Sequence, residues 1–186
     1  MNELISNTVV NTSITYNKYH PYLYSLNRIN NWFLFGSLTW ERQSRRNHSY
    51  AAEYRRRIDF NYLMALFCIR YKIRRKALAF YKATEYGAAG EPHYHFLITK
   101  NACEHVSPDE CATALTNAWR YTLKPYDYDH YGIGTAAIVP YEDSKDLPGV
   151  QYCLKREYNE FGIEWDRDDF LSPRLMKILI AQTINK

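Results

Sequence analysis

The residues with the most chemical promise in this chain of 186 lie in the segment Pro92-His93-Tyr94-His95-Phe96-Leu97-Ile98-Thr99. On a β-strand, alternate side chains point the same way. His93 and His95 are therefore expected to share one face, with Tyr94 and Leu97 on the other face or in the core. Two imidazoles side by side offer two metal-ligating nitrogens. Glu85 stands eight residues before His93, and Gly87-Ala88-Ala89-Gly90 lies between them. A tight turn there brings residues near 85 opposite residues near 93, so a carboxylate can complete a three-ligand site. Two His and one carboxylate leave positions open for water and a phosphate oxygen. The competing reading is a pair of surface histidines on an exposed sheet face.

A second stretch, Gln151-Tyr152-Cys153-Leu154-Lys155, has helical spacing between a phenol and an ammonium. Residues i and i+3 of a helix are neighbours, so Tyr152 and Lys155 project together. A phenol with a pKa of about 10 is a poor nucleophile until a cation or metal favours the phenolate. The ammonium can also neutralise charge that builds on a phosphate. The chain has 18 tyrosines, so a half-buried helix tyrosine competes with this reading. Tyr158, about 240° further around the helix, is not expected to act as a second nucleophile.

Charge is unevenly spread. The net value is +4, yet between Arg42 and Lys76 eleven Lys or Arg face two acids, Glu53 and Asp59. That segment carries +9 and leaves the rest of the chain at −5. A concentrated basic stripe is the footprint of a polyanion binder, with a solvated helix face as the alternative. Arg55, Arg56, Arg57, Arg74 and Arg75 are its candidate contacts to a polyanion. The 16% aromatic content suits base stacking and equally suits core and surface filling.

These groups need elements to hold them. Residues 1–28 read as a loosely packed N-terminal arm, ordered where Tyr16, Tyr19, Tyr22 and Tyr24 dock, and 29–186 as a single domain. Trp32–Trp40 (WFLFGSLTW) is an apolar, aromatic run with strand character. A helical pattern follows from Ser49 to about Arg75, with Tyr54, Ile58, Tyr62, Ala65 and Ile69 on one face. Leu78–Tyr86 and Pro92–Thr99 form a hairpin around the glycine-bounded turn. Ser107-Pro108-Asp109-Glu110 has the form of a capping box and opens a helix to about Leu123. Gly134–Val139 is a short strand ended by Pro140, Leu147–Glu157 a helix, and Ser172-Pro173 caps a last helix reaching Thr183. The order β α β β α β α α implies an α+β fold, an antiparallel sheet with helices packed on one face.

Composition excludes several classes. With 46% apolar and 24% charged residues the chain is globular rather than disordered. Its longest apolar runs, such as Tyr62–Ile69, fall far short of the roughly 20 residues of a membrane span, so no membrane partner is expected. Met1–Thr15 is polar and carries no secretory signal. Cys68, Cys103, Cys111 and Cys153 show no CxxC spacing and read as free buried thiols in a reducing, intracellular compartment rather than disulfides or zinc ligands. No GxxxxGK[ST] phosphate loop occurs in the sequence, so no nucleotide cofactor is expected.

Three blocks in order resemble the HUH endonuclease superfamily, and within it the rolling-circle replication initiators of single-stranded DNA viruses and plasmids. Phe33–Trp40, especially FGSLTW, looks like the first initiator motif. Thr84–Ile98, with its E-x7-H-x-H spacing, is similar to the second motif and its upstream acidic ligand. Gly149–Lys155 (GVQYCLK) looks like the third, YxxK, and Asn159–Trp165 (NEFGIEW) resembles the stretch that follows it. The resemblance runs from about Trp32 to Trp165 and implies a ferredoxin-like, RRM-related fold with the Tyr152 helix laid across the sheet.

Carried over residue by residue, it implies that Glu85, His93 and His95 bind Mg²⁺ or Mn²⁺. Tyr152 would attack the scissile phosphate of single-stranded DNA at a replication origin or hairpin, leaving a 5′-phosphotyrosine and a free 3′-OH. Lys155 would position or charge-stabilise that phosphate. Thr39 and Trp40 would join Arg55, Arg56, Arg57, Arg74 and Arg75 as DNA-binding residues without a finer role, and host replication proteins would be further partners. Arg156 stands where plant-virus initiators commonly carry an acid, so an extra carboxylate could come only from Glu157. The host cytoplasm, or the nucleus for a eukaryotic virus, would be the compartment. The rivals are a transposase or relaxase with the same chemistry, a non-catalytic RRM-like module in which Tyr94 and Trp40 stack bases, and a structural metal protein.

Overall fold

A computed structural model describes residues 26, 29, 31–40, 50–86, 92–122, 133–142, 149–153 and 170–184. The strand expected from the WFLFGSLTW run is β1, Trp32–Trp40. It is followed by α1 (Tyr50–Arg70), β2 (Phe80–Tyr86), β3 (Pro92–Thr99) and α2 (Pro108–Asn117). The helical path of α2 continues as a π-type segment, Ala118–Thr122. Then come β4 (Ile133–Pro140), α3 (Gly149–Cys153), β5 (Phe170–Leu171) and α4 (Pro173–Ile184).

The sheet order is β4-β1-β3-β2-β5, and every neighbouring pair is antiparallel. The β-α-β-β-α-β order with strands arranged 4-1-3-2 is ferredoxin-like, with β5 added to the free edge of β2. The hairpin register is the expected one: Glu85 pairs directly with His93 and Ala83 with His95.

Alternation along β3 separates two packed layers. Tyr94, Phe96 and Ile98 are fully buried under α1 and α2, against Phe60, Leu63, Met64, Phe67 and Leu115 among others. Gly36, paired with Phe96 across β1 and β3, lies beneath that ring; a Cβ at this position would overlap it. On the opposite face, Leu97, Tyr81 and Ala83 pack with Val150 and Cys153 of α3, Leu175 of α4, and Leu26 and Ile29. Helices therefore cover both faces, not one as the element order suggests. Leu97 is also on the His93/His95 face rather than with Tyr94, because it stands an even number of residues from both histidines.

Other expectations need correction. Tyr54, Ile58, Tyr62 and Ile69 are 45–75% exposed; α1 buries Arg56, Phe60, Leu63, Met64, Phe67 and Cys68 instead. The helix also ends earlier than about Arg75. Lys72 adopts a left-handed φ of 55°, Ile73 N–H donates to Cys68 O at 2.8 Å, and Lys72 N–H donates to Ile69 O at 3.3 Å. These two bonds are a Schellman closure, normally built on glycine. Ser107 is the N-cap of α2 but makes no side-chain cap bond. Ser172 does cap α4: its Oγ accepts from Leu175 N–H at 3.3 Å and from Phe80 N–H at 2.9 Å. Leu26, near the end of the expected N-terminal arm, is fully buried and takes a hydrogen bond from Trp32 Nε1 on its carbonyl. Tyr16, Tyr19, Tyr22 and Tyr24 lie outside the described residues. All four cysteines are free and buried, as expected. Burial pushes the Cys103 thiol up to about 12 and that of Cys111 up to about 11. Among the described residues, no helix is long and apolar enough to cross a membrane.

Candidate metal centre

The centre is built where β2 and β3 enter and leave their hairpin. Direct pairing of Glu85 with His93 puts both side chains on one face of the sheet, and the step of two brings His95 to the same face. Glu85 Oε2 lies 3.1 Å from His93 Nε2 and also contacts His95 Nε2. One ligand atom from each of the three residues falls within 4.8 Å of the others. Glu85 and His95 are buried, whereas the His93 side chain keeps 20% of its surface exposed. This group could hold a metal ion: two imidazole nitrogens and one carboxylate oxygen suit a divalent cation, and the partly open His93 side leaves access for a further ligand.

Residues outside the triad orient it. β1 pairs with β3 so that Ser37 lies opposite His95 and Thr39 opposite His93. Ser37 Oγ sits 2.5 Å from His95 Nδ1. In the tautomer in which Nδ1–H donates to the hydroxyl, Nε2 presents its lone pair beside Glu85. Phe35, two residues earlier on the same face, stacks on the His95 ring with centroids 5.9 Å apart and planes 8° apart. The two histidine rings meet edge to face, 4.9 Å apart. Neither Ser37 nor Phe35 was singled out by sequence. The only local signal was alternation within the FGSLTW run, and it needed the β1–β3 register to acquire meaning.

Helix α3 packs on this same face. Val150 and Cys153 are buried beside Leu97, Tyr81 and Ala83. Gly149 starts the helix so close to β1 that a Cβ would lie 3.0 Å from Phe35 Cδ2 and 2.9 Å from Tyr141 Cε2. The backbone of Tyr152 is part of α3; its side chain, and the whole of Lys155, Arg156 and Glu157, lie outside the described residues.

The remaining candidates are dispersed. Thr39 is on the triad face, its Oγ1 accepting from Thr135 N–H at 2.8 Å and lying 2.9 Å from Thr135 Oγ1. Trp40 points the other way. Its ring meets Tyr94 and Trp119 edge-on, and its Nε1–H donates to Asp59 Oδ2 at 3.1 Å. Tyr94 is fully buried, so neither ring of the base-stacking alternative is a free platform. Arg55 and Arg57 are exposed on α1, but Arg56 is only 3% exposed and is corrected from a surface contact to a buried residue of that helix. Arg74 and Arg75 are exposed beyond the end of α1. Arg42, Arg45 and Arg46 lie outside the described residues. α1 packs on the sheet face opposite the triad, so the described part of the basic stripe is not beside the metal centre.

No protein-family model matches the chain, and comparisons with characterised proteins and with solved structures gave no significant match.

Proposed function

We propose that this chain is a metal-assisted, tyrosine-dependent endonuclease that nicks and rejoins single-stranded DNA, as in the initiation of rolling-circle replication. One observation carries the reading: the Glu85–His93–His95 group lies on the sheet face against which the helix containing Tyr152 packs, with Gly149 against Phe35 and Phe35 stacked on His95. The order of the three sequence blocks, ending in Tyr152-Cys153-Leu154-Lys155, supports it further.

Mg²⁺ or Mn²⁺ held by Glu85, His93 and His95 would draw charge from a non-bridging phosphate oxygen. The Tyr152 phenol loses its proton and its oxygen attacks phosphorus in line. A bond from phosphorus to the tyrosine oxygen forms as the bond to the 3′-oxygen breaks, and that oxygen leaves as a 3′-OH after taking up a proton. Lys155 offers a positive charge to the phosphate. A phosphotyrosine conserves the phosphodiester, so the free 3′-OH can reverse the step without a nucleotide cofactor.

The test is incubation with a pool of single-stranded oligonucleotides and Mn²⁺, read on a denaturing gel. The wild type should give a nicked strand and a protein-linked product. His93→Ala combined with His95→Ala should give neither while still folding. Equal cleavage by that variant in chelator-treated buffer would refute the metal assignment.

A further inference from the structure

A basic feature built partly from the Arg42–Lys76 stripe lies toward the opposite end of β2 from Glu85. A cavity of about 780 Å³ opens between the segment after α1 and the start of α4. Arg74, Arg75 and Lys76 line one wall, Arg174 and Lys177 the other, and Phe170 of β5 lies between them. A smaller cavity of about 260 Å³ shares Asn61 and Phe170 with it and adds Arg57 and Lys82. Together they form a groove along the β2–β5 edge with six exposed cationic side chains, the buried Lys82 behind them and, among the described residues, no carboxylate.

Three details make this more than a charged surface. Arg75 is held in place, donating to Asn61 Oδ1 at 3.0 Å with its guanidinium 5.8 Å from the Phe80 ring centroid. Phe170 rests against Phe80, centroids 5.7 Å apart, yet remains 46% exposed. Its ring thus combines a fixed inner contact with an accessible surface, in the middle of the cations. Finally, Arg174 and Lys177 come from α4, far in sequence from the Arg42–Lys76 stripe; the fold, not one basic run, assembles the groove.

A basic track around an exposed aromatic ring is the pattern that takes a flexible phosphate backbone and stacks an unpaired base. A duplex, whose bases are already stacked, has no use for the ring. We propose that this groove binds single-stranded nucleic acid, with the cations on consecutive phosphates and Phe170 under one base. It is separate from the metal centre: Phe80 and Glu85 are five residues apart on β2, about 16 Å along the strand, and their side chains point to opposite faces. The ligand class is shared with the proposed function, but the groove requires neither the metal nor Tyr152.

The test is fluorescence anisotropy of the whole chain with an oligothymidylate of about 12 nucleotides in chelator-treated buffer, over a range of salt. Arg174→Glu with Lys177→Glu, both exposed positions, should weaken binding at least tenfold and lower the salt slope, which counts about 0.7 per phosphate contacted on a single strand. Phe170→Ala should weaken binding at least fivefold with an unchanged slope, and Phe170→Tyr should restore it. Thermal melts check that each variant is folded. Variants that bind like the wild type would overturn the groove while leaving the nicking reading intact. Groove-dependent binding without any nicking would support the groove and count against the nuclease. Competition by inorganic tripolyphosphate as effective as by an oligonucleotide of equal charge would overturn the base-stacking role.

Discussion

The two faces of β3 receive alternate residues of a single eight-residue strand and use them for opposite ends. Tyr94, Phe96 and Ile98 go under α1 and α2 into a cluster rich in aromatic rings, including edge-on contacts of Phe60 with Tyr94 and Phe96. His93, His95 and Leu97 go to the other side, where Leu97 is covered by α3 and α4 but His93 keeps a solvent-facing edge. The first face holds the sheet together. The second holds polar groups close to one another, and only its Leu97 end is packed like a core. Shape and volume decide what the helix face tolerates, whereas the triad face is decided by which atoms carry lone pairs.

That division can be broken by substitution, beginning with the helix face. Phe96→Ala should cost about 3–5 kcal/mol of stability, read by urea unfolding, because it empties a fully buried site above Gly36. A loss under about 1 kcal/mol would mean that the aromatic layer is not the main support of the sheet. On the triad face the same measurement should respond to ions. Mn²⁺ at roughly a hundredfold excess over its dissociation constant should stabilise the wild type by about 2.7 kcal/mol, and the His93→Ala, His95→Ala double variant not at all. Equal stabilisation of the two proteins would place the ion elsewhere.

Smaller changes sharpen the contrast. Ser37→Ala removes the hydroxyl beside His95 Nδ1 and should weaken Mn²⁺ binding by about 10–100-fold, measured by calorimetry, with little change in the melting temperature of the metal-free protein. An unaltered affinity would reduce Ser37 to a bystander. The smallest effect concerns Asp59, a carboxylate beside the Trp40 ring of the helix face. Burial raises its pKa above 3.8, partly opposed by the Trp40 hydrogen bond and by Arg55 and Arg56. A folded-state pKa above the unfolded one means that its contribution is fully present below about pH 3.8 and is lost as pH rises through the raised value. Asp59→Asn should therefore gain on the wild type as pH increases from 3 to 7 in paired thermal melts. A difference that shrinks with pH would reverse the sign and show that the carboxylate is stabilised by its partners.

The same contrast explains what the amino-acid sequence alone reveals. The triad was legible because hairpin register is local: a glycine-bounded turn between residues 85 and 93 leaves few ways to pair the strands, and a step of two does the rest. β1 was legible from end to end because apolar and aromatic residues dominate Trp32–Trp40. Ser37 and Phe35 were not, since their value depends on pairing across 58 or more residues, which no local pattern encodes. The buried face of α1 was present in the sequence as Phe60, Leu63, Met64, Phe67 and Cys68, at helical spacing. It competed with a ridge of Tyr54, Ile58, Tyr62 and Ile69 that has similar spacing and lies in solvent. The end of α1 is not legible in the sequence because Lys72, not glycine, takes the left-handed position. β5 has only two residues, too few for any period. The expected Tyr152–Lys155 pair depends on a side chain and on residues outside those described, so its bearing on the site rests on the position of α3 alone.

The central claim is that Tyr152 joins its oxygen to DNA beside the Glu85–His93–His95 group. It is tested most directly by digesting the wild-type adduct formed with Mn²⁺ and mapping the modified peptide by mass spectrometry, in parallel with Tyr152→Phe, which removes only the attacking oxygen. The expected result is a nucleotide mass on Tyr152 and, for the variant, normal binding of DNA with no adduct. A nucleotide on Tyr158 or any other tyrosine, or an adduct from Tyr152→Phe, would contradict it.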